Sequence, residues 1–164
     1  MANRGRGAVY LDVIRTFAVL LCLSAAGLQA ADSGATPAGR WRTFDDKIVG
    51  KAKSIIVLYE EKGLLFGRVE TLVDPDAVKI CDKCSDERKG QAVTGMVVVR
   101  RMKKDGEEYT GGDILDPKNG SVYRCKMHLL EQGRKLSVRG YIGFSLFGRS
   151  QTWVRDDSGG QKHE

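Results

Sequence analysis

The sequence predicts an all-β fold, a single eight-stranded antiparallel up-and-down barrel that follows a cleaved signal peptide. Three observations carry this. Short apolar runs recur from Trp41 to Arg155 with polar turn residues between them. Nearly all connections have hairpin length, and a meander of eight such strands loses its exposed edges by closing. No long helix, internal repeat or second domain declares itself between these runs.

The N-terminus is built for export. Arg4, Arg6 and Arg15 give a positive start, Thr16 to Gly27 is apolar or small, and Ala30-Ala31 precedes the polar Asp32-Ser33-Gly34. These are the three parts of a secretory signal. An apolar run of 12 residues is short for a bilayer span, which needs about 20. Cys22 follows Leu21 rather than a small residue, which argues against lipid attachment. The expectation is a signal peptide over residues 1–30, a flexible entry segment over 31–38, a barrel domain over 39–156 and a disordered tail over 157–164. The protein is then periplasmic or secreted, with no membrane span after cleavage.

The strands read in order. The first surrounds Trp41. Lys51–Glu60 holds Ile55, Ile56, Val57, Leu58 and Tyr59, residues that suit a pleated surface. Glu61-Lys62-Gly63 turns the chain into Leu64–Leu72. Val93–Met102 is a β-branched run, and Lys104-Asp105-Gly106 is a hairpin signal leading to Glu107–Leu115. Asp116-Pro117-Lys118-Asn119-Gly120 is a second strong turn. Ser121–Leu130, Lys135–Ile142 and Arg149–Arg155 complete the eight.

One connection breaks the pattern. Residues 73–92 are too many for a hairpin, and loops of that length carry function or some structure of their own. Asp74-Pro75 opens a short helical turn, and Cys81-Asp82-Lys83-Cys84 sits beyond it. Three chemistries use a C-x-x-C. Export favours a structural disulfide between Cys81 and Cys84. Adding Cys125 and His128 makes a Cys3His zinc set, but strand alternation puts Cys125 toward the core and His128 on the opposite face. A redox pair wants a helix N-terminus beside a βαβ unit, a pattern not found here. The disulfide is the preferred reading, with no metal and no cofactor expected and Cys125 a buried, inert thiol.

Charge excludes little. Removing the three arginines and one aspartate of residues 1–30 leaves 24 basic against 20 acidic side chains, a net charge of +4. Arg100, Arg101, Lys103 and Lys104 are the densest cluster. Without interleaved aromatics to stack bases, they read as a solvated strand end that discourages edge pairing, and no nucleic acid partner is expected.

Several stretches together resemble one family. They are Cys81-Asp82-Lys83-Cys84, the run Gly111 to Gly120 with Tyr123, Leu136-Ser137-Val138-Arg139-Gly140-Tyr141, and Arg149-Ser150-Gln151-Thr152-Trp153 with Arg155. The chain from about Gly39 to Arg155 is similar to the bacterial exported family named domain of unknown function 2147. That resemblance implies a secreted or periplasmic lipocalin-like barrel without an established activity. It also implies a cysteine pair across the last hairpin, where this chain has Tyr141 and Gly148. Gly39-Arg40-Trp41 and Arg155 further resemble the calycin arrangement, in which a tryptophan plugs one barrel end under a basic side chain from the final strand. Trp41 and Arg155 are thus expected to close the barrel.

A barrel of this size has room for side chains or one small ligand. Alternation nominates Ile56, Leu58, Phe66, Val97, Tyr109, Tyr123, Met127 and Trp153 as interior residues. Tyr109, Tyr123, Arg139 and Trp153 are the ligand-binding candidates, with Arg139 a partner for a carboxylate or phosphate if it faces inward and a solvated surface residue if it does not. Phe144-Ser145-Leu146-Phe147 reads as a loop packed on the core, or else as a lip contact. With His128 the only histidine outside the C-terminal tail, no Ser/His/Asp arrangement forms, and no enzyme is expected. The expected function is a monomeric, non-enzymatic module for a small apolar or amphipathic ligand. The alternative is an envelope interaction protein with a filled barrel, acting through its surface and the Cys81/Cys84 loop.

Overall fold

The computed structural model describes residues 35–159; the expected signal peptide, residues 1–30, lies outside them, as do residues 160–164. Eight strands run in sequence: β1 (Gly39–Phe44), β2 (Ala52–Glu61), β3 (Leu64–Leu72), β4 (Val97–Asp105), β5 (Glu108–Asp116), β6 (Ser121–Leu130), β7 (Lys135–Tyr141) and β8 (Gly148–Arg155). Each pairs antiparallel with the next, and β8 returns to β1, so the sheet is a closed up-and-down barrel. The closing seam is the thinnest, with only Trp41↔Arg155 and Arg42↔Val154 paired. Among the described residues no helix is long and apolar enough to cross a membrane.

Antiparallel closure puts the connections at two ends. The links β2–β3, β4–β5 and β6–β7 lie at one end with the start of β1 and the finish of β8. This end is sealed. Trp41 is fully buried and donates its indole N–H to the Pro37 carbonyl at 2.7 Å. The Arg155 guanidinium lies 4.3 Å above the indole ring. It also donates to three backbone carbonyls, Gly133 at 2.7 Å, Ala38 at 3.1 Å and Thr36 at 2.8 Å. Gly39 is required beneath it: its φ is +127°, and a Cβ would lie 2.8 Å from Arg155 Nη1. The entry segment expected to be flexible is therefore anchored at residues 36–38. The expected disordered tail likewise starts with order, because Asp157–Gly159 form a 3-10 turn capped by the Asp156 carboxylate, which accepts from the Ser158 N–H at 3.0 Å and from its hydroxyl.

Side-chain volume divides the interior. Leu58, Leu65, Val99, Met102, Met127 and Leu136 are fully buried and fill the half next to Trp41. β-Bulges disturb simple alternation. The register shifts between Ile55 and Ile56, and both are buried. On β4, Val98 and Val99 are both buried and Arg101 takes a positive φ of 53°. Strand β4 starts four residues later than the sequence suggests, because the Met96 N–H donates to the Val93 carbonyl in a turn that meets β3 through Val69 N–H to Met96 O (3.0 Å) and Gly95 N–H to Val69 O (2.8 Å).

The long β3–β4 loop has its own architecture. Ile80 bridges Ala92, Cys81 N–H reaches Gln91 O at 2.9 Å, and Val93 N–H reaches Lys79 O at 2.8 Å. At the tip Cys81 and Cys84 form a disulfide, and both are buried. The tip rests on the β5–β6 turn: Cys81 Sγ lies 3.7 Å from the Pro117 carbonyl oxygen. Gly120, at φ +75°, passes so close that a Cβ would collide with the Lys83 carbonyl. Arg88 is buried and ties the loop to the barrel, donating to Asp86 at 2.5–3.1 Å and to Val97 O at 3.1 Å.

Two predictions follow from these anchors. Arg155→Ala strips a cation–π contact and three carbonyl partners, and should destabilise the fold by roughly 2–4 kcal/mol in urea titration. Arg155→Lys should recover little, since an ammonium lacks the planar fork. The Arg88 guanidinium holds the Asp86 carboxyl down at about 2, and the Ser158 hydroxyl does the same for Asp156, against an ordinary value of 3.8. Depressed carboxyl groups stabilise fully above the ordinary value and cease to do so as pH falls through the folded one. The melting temperature should accordingly drop between pH ~4 and ~2, and Asp86→Asn should flatten that drop.

Candidate functional site

The other end of the barrel is open. Here the links β1–β2, β3–β4, β5–β6 and β7–β8 surround a cavity of about 560 Å³. Its floor and walls are apolar: Ile56, Val69, Val98, Ile114, Leu115, Val138 and Trp153 line it, with Tyr123 and Gly140. Polar wall groups are satisfied by each other. The hydroxyls of Thr43 and Ser54 lie 2.8 Å apart and both residues are buried. Trp153 donates its indole N–H to Gln151 Oε1 at 3.2 Å, while Gln151 Nε2 donates to Asp46 at 2.7 Å. Tyr123 accepts at its hydroxyl from Asn119 Nδ2 at 3.1 Å.

Charge is confined to the rim. Asp45, Asp46, Asp74, Asp76 and Asp116 alternate there with Lys53, Lys118 and Arg149. Most of the carboxylates shape loops. Asp45 accepts from the N–H groups of Lys47 and Ile48 at 2.8 and 3.0 Å, and these donors hold its carboxyl below the ordinary range. Asp74 is held low chiefly by Lys51 at 2.9 Å. Asp46 pairs with Arg149, and Asp116 accepts from the Lys118 N–H at 3.0 Å. Lys53 and Lys118 form no salt bridge among the described residues. Both line the mouth, near Asp45.

The four ligand-binding candidates separate. Tyr123 and Trp153 line the cavity. Tyr109 does not: it is buried at the sealed end, beside Thr36, where burial and then the Glu60 charge push its phenol up. Arg139 does not either. Its β7 neighbours Leu136 and Val138 are buried inward, so the pleat turns Arg139 outward. There it donates to Ser145 O at 2.6 and 2.8 Å, Leu146 O at 3.3 Å and Ser150 Oγ at 3.0 Å. It clamps the β7–β8 loop at the hairpin where Tyr141 pairs with Gly148, the place where family resemblance puts a cysteine pair. Among the wider interior set, Ile56 lines the cavity, whereas Leu58 and Met127 lie in the filled half. Phe66 stacks on Tyr59 with ring centroids 6.0 Å apart, on the face opposite Leu65 and Gly67. The bulge in β4 gives Val98 the place expected for Val97.

The cysteines and histidine lie away from the cavity. Cys81 and Cys84 are bonded to each other, and Cys125 is a buried free thiol. Burial, and secondarily the Asp113 charge, pushes that thiol up to about 12, so it stays protonated and unreactive. His128 lies on the outward face of β6, between Met127 and Leu129 in sequence, and does not meet Cys125. No group of three His, Cys, Asp or Glu side chains among the described residues is arranged to hold a metal.

The loop clamp is directly testable. Arg139→Ala should leave the melting temperature within a few degrees of the parent but expose residues 142–147 to rapid chymotrypsin cleavage, read by mass spectrometry of the fragments.

The comparisons agree with this geometry. A solved structure, the protein HP1028 from the human pathogen Helicobacter pylori, described as belonging to the lipocalin family, superposes with a TM-score of 0.66 at 19% identity, over 76% of this chain and 86% of that one. At that identity the likeness concerns the fold. None of the curated proteins matches the chain. The family model described as "Uncharacterized protein conserved in bacteria (DUF2147)" matches residues 39–155, the whole of the barrel from the first residue of β1 to the last of β8, and the chain belongs to that family.

Proposed function

We propose that the protein is a non-enzymatic binding module of the bacterial envelope, exported by its N-terminal segment, that holds a small apolar or amphipathic ligand in the open half of the barrel. The observation that carries this is the half-filled interior. Large side chains pack the sealed half, and the open half keeps a cavity of about 560 Å³, within the range of roughly 300–1,000 Å³ typical of ligand pockets. The walls are apolar and their polar groups already paired, so an apolar body is favoured inside. Lys53 and Lys118 at the rim suit an acidic head group that stays near water. The disulfide fits an oxidising compartment. The groups best suited to nucleophilic or acid–base work, Cys125 and His128, do not reach the cavity, which favours binding over catalysis. The hollow mouth also favours this reading over a filled barrel acting through the Cys81/Cys84 loop.

Gly140 provides the test. It lines the cavity, and a Cβ added there meets only ordinary contacts, Tyr123 Cβ at 3.4 Å and Ile114 Cγ2 at 3.6 Å. The backbone there accepts a side chain, and Gly140→Leu should place an isobutyl group in the lumen and take up part of the cavity. In titrations with cis-parinaric acid, the parent protein should show saturable binding and Gly140→Leu at least tenfold weaker binding at an unchanged melting temperature. Equal binding by both proteins, or none by the parent, would defeat the proposal.

A further inference from the structure

Six large apolar side chains stand in water on two neighbouring loops of the mouth. On the β7–β8 loop Ile142 is 66% exposed, Phe144 78%, Leu146 85% and Phe147 75%; on the β1–β2 loop Ile48 is 54% and Val49 102% exposed. The two loops are joined, since Asp46 of one takes Gln151 Nε2 and the Arg149 guanidinium from the base of the other. Single exposed apolar residues are ordinary, but a contiguous patch marks a binding surface.

The patch is built to project. The Phe147 N–H bonds Phe144 O at 3.0 Å and the Ile142 N–H bonds Phe147 O at 3.3 Å. Arg139 grips the carbonyls of Ser145 and Leu146 from the barrel side. The carbonyls of Phe144, Ser145, Leu146 and Phe147 are thus paired within the molecule, and the side chains are left to face outward. Pairing these four carbonyls lowers the cost of placing the tip at the polar–apolar boundary of a bilayer, where the remaining N–H groups can still meet head groups or water.

Charge and position indicate which phase. Lys47, Arg139 and Arg149 flank the tips. The acids on these two loops are Asp45 and Asp46, both occupied, the first by loop N–H groups and the second by Arg149 and Gln151, while Asp74, Asp76 and Asp116 stand elsewhere on the rim. With Arg149 paired to Asp46, Lys47 and Arg139 outnumber Asp45 beside the tips by one charge, and that small cationic excess complements an anionic lipid surface. Ile142 and Phe147 also line the cavity, so the exposed patch is continuous with the interior.

We propose that the mouth of this barrel docks on an anionic bilayer, with the tip of the β7–β8 loop inserted at the level of the lipid head groups. Docking is independent of the ligand-binding reading; only its use, exchange of an amphipathic molecule between bilayer and cavity without passage through water, rests on that reading.

The test uses protein purified from its host and vesicles of phosphatidylcholine with or without phosphatidylglycerol. Flotation should recover the parent with the mixed vesicles. The triple variant Phe144→Ser, Leu146→Ser, Phe147→Ser should float at least tenfold less, and Lys47→Glu should weaken recovery only where phosphatidylglycerol is present. Phe144→Trp, which keeps an aromatic tip, should shift its emission to the blue on mixed vesicles and be quenched by brominated lipid. Unchanged flotation of the triple variant, or unquenched emission, overturns the proposal. So does self-association that the triple variant abolishes without any vesicle binding, which assigns the patch to a second copy. Protein that floats but takes up no cis-parinaric acid supports docking and removes the ligand reading instead.

Discussion

The seam between the first and last strands is where this barrel is made or lost. Only two residue pairs join β1 to β8, the fewest between any neighbouring strands, with three between β3 and β4 the next fewest, so backbone pairing alone leaves the closure weak. The Arg155 guanidinium compensates. One planar group covers the Trp41 ring and draws in three carbonyls from segments that come before β1 and after β6. Delocalised charge over an aromatic face, combined with several hydrogen bonds in a fixed fork, is a job few side chains can do. The seal gathers the ends of the chain, and everything at the far end inherits its shape from that gathering.

Having one end sealed and packed decides what the other end can be. Leucine and methionine fill the half beside Trp41, where strands converge on the indole. Toward the mouth the inward positions are held by smaller or more peripheral groups, such as Val69, Val98, Val138 and Gly140, which cannot meet across the lumen. The void is therefore a product of residue size along the strands, not of any single missing side chain. Its walls are dry in character because the hydroxyls and amides there are already partnered.

Much of this was legible in the sequence, and the failures have identifiable causes. Strand count, order and the Cys81–Cys84 disulfide could be read because each depends on a local signal, a turn, a period of two or a C-x-x-C, whereas the pairing of Trp41 with Arg155 was expected only through resemblance to the calycin arrangement. Arg139 was ambiguous because its meaning depends on which parity faces inward, and its neighbours Leu136 and Val138 settle this only once the barrel is closed. Tyr109 was misplaced for a different reason. Alternation tells which face a residue takes but not how far along the barrel axis it lies, and Tyr109 is on the correct face at the wrong end. Val97 and Val98 exchanged places because a bulge, which no composition rule locates, inserted a residue upstream of Arg101. The exposed Phe144–Phe147 tip ran against the rule that apolar loops fold back on the core. Arg139, holding the tip from outside, is what keeps it there.

The Cys81–Cys84 bond makes the two sides of the mouth mechanically unequal. On one side the β3–β4 excursion is cross-linked, rests on Gly120 and is riveted to the wall by Arg88. That rim is a fixed jamb. Opposite it, the β7–β8 loop is held by the Arg139 guanidinium, by its own backbone hydrogen bonds and by the Asp46 contacts at its base, with no covalent tie. One rim is thus clasped covalently and the other is held by hydrogen bonds and ion pairs alone, so under load the doorway would yield first on the side that carries the apolar tip.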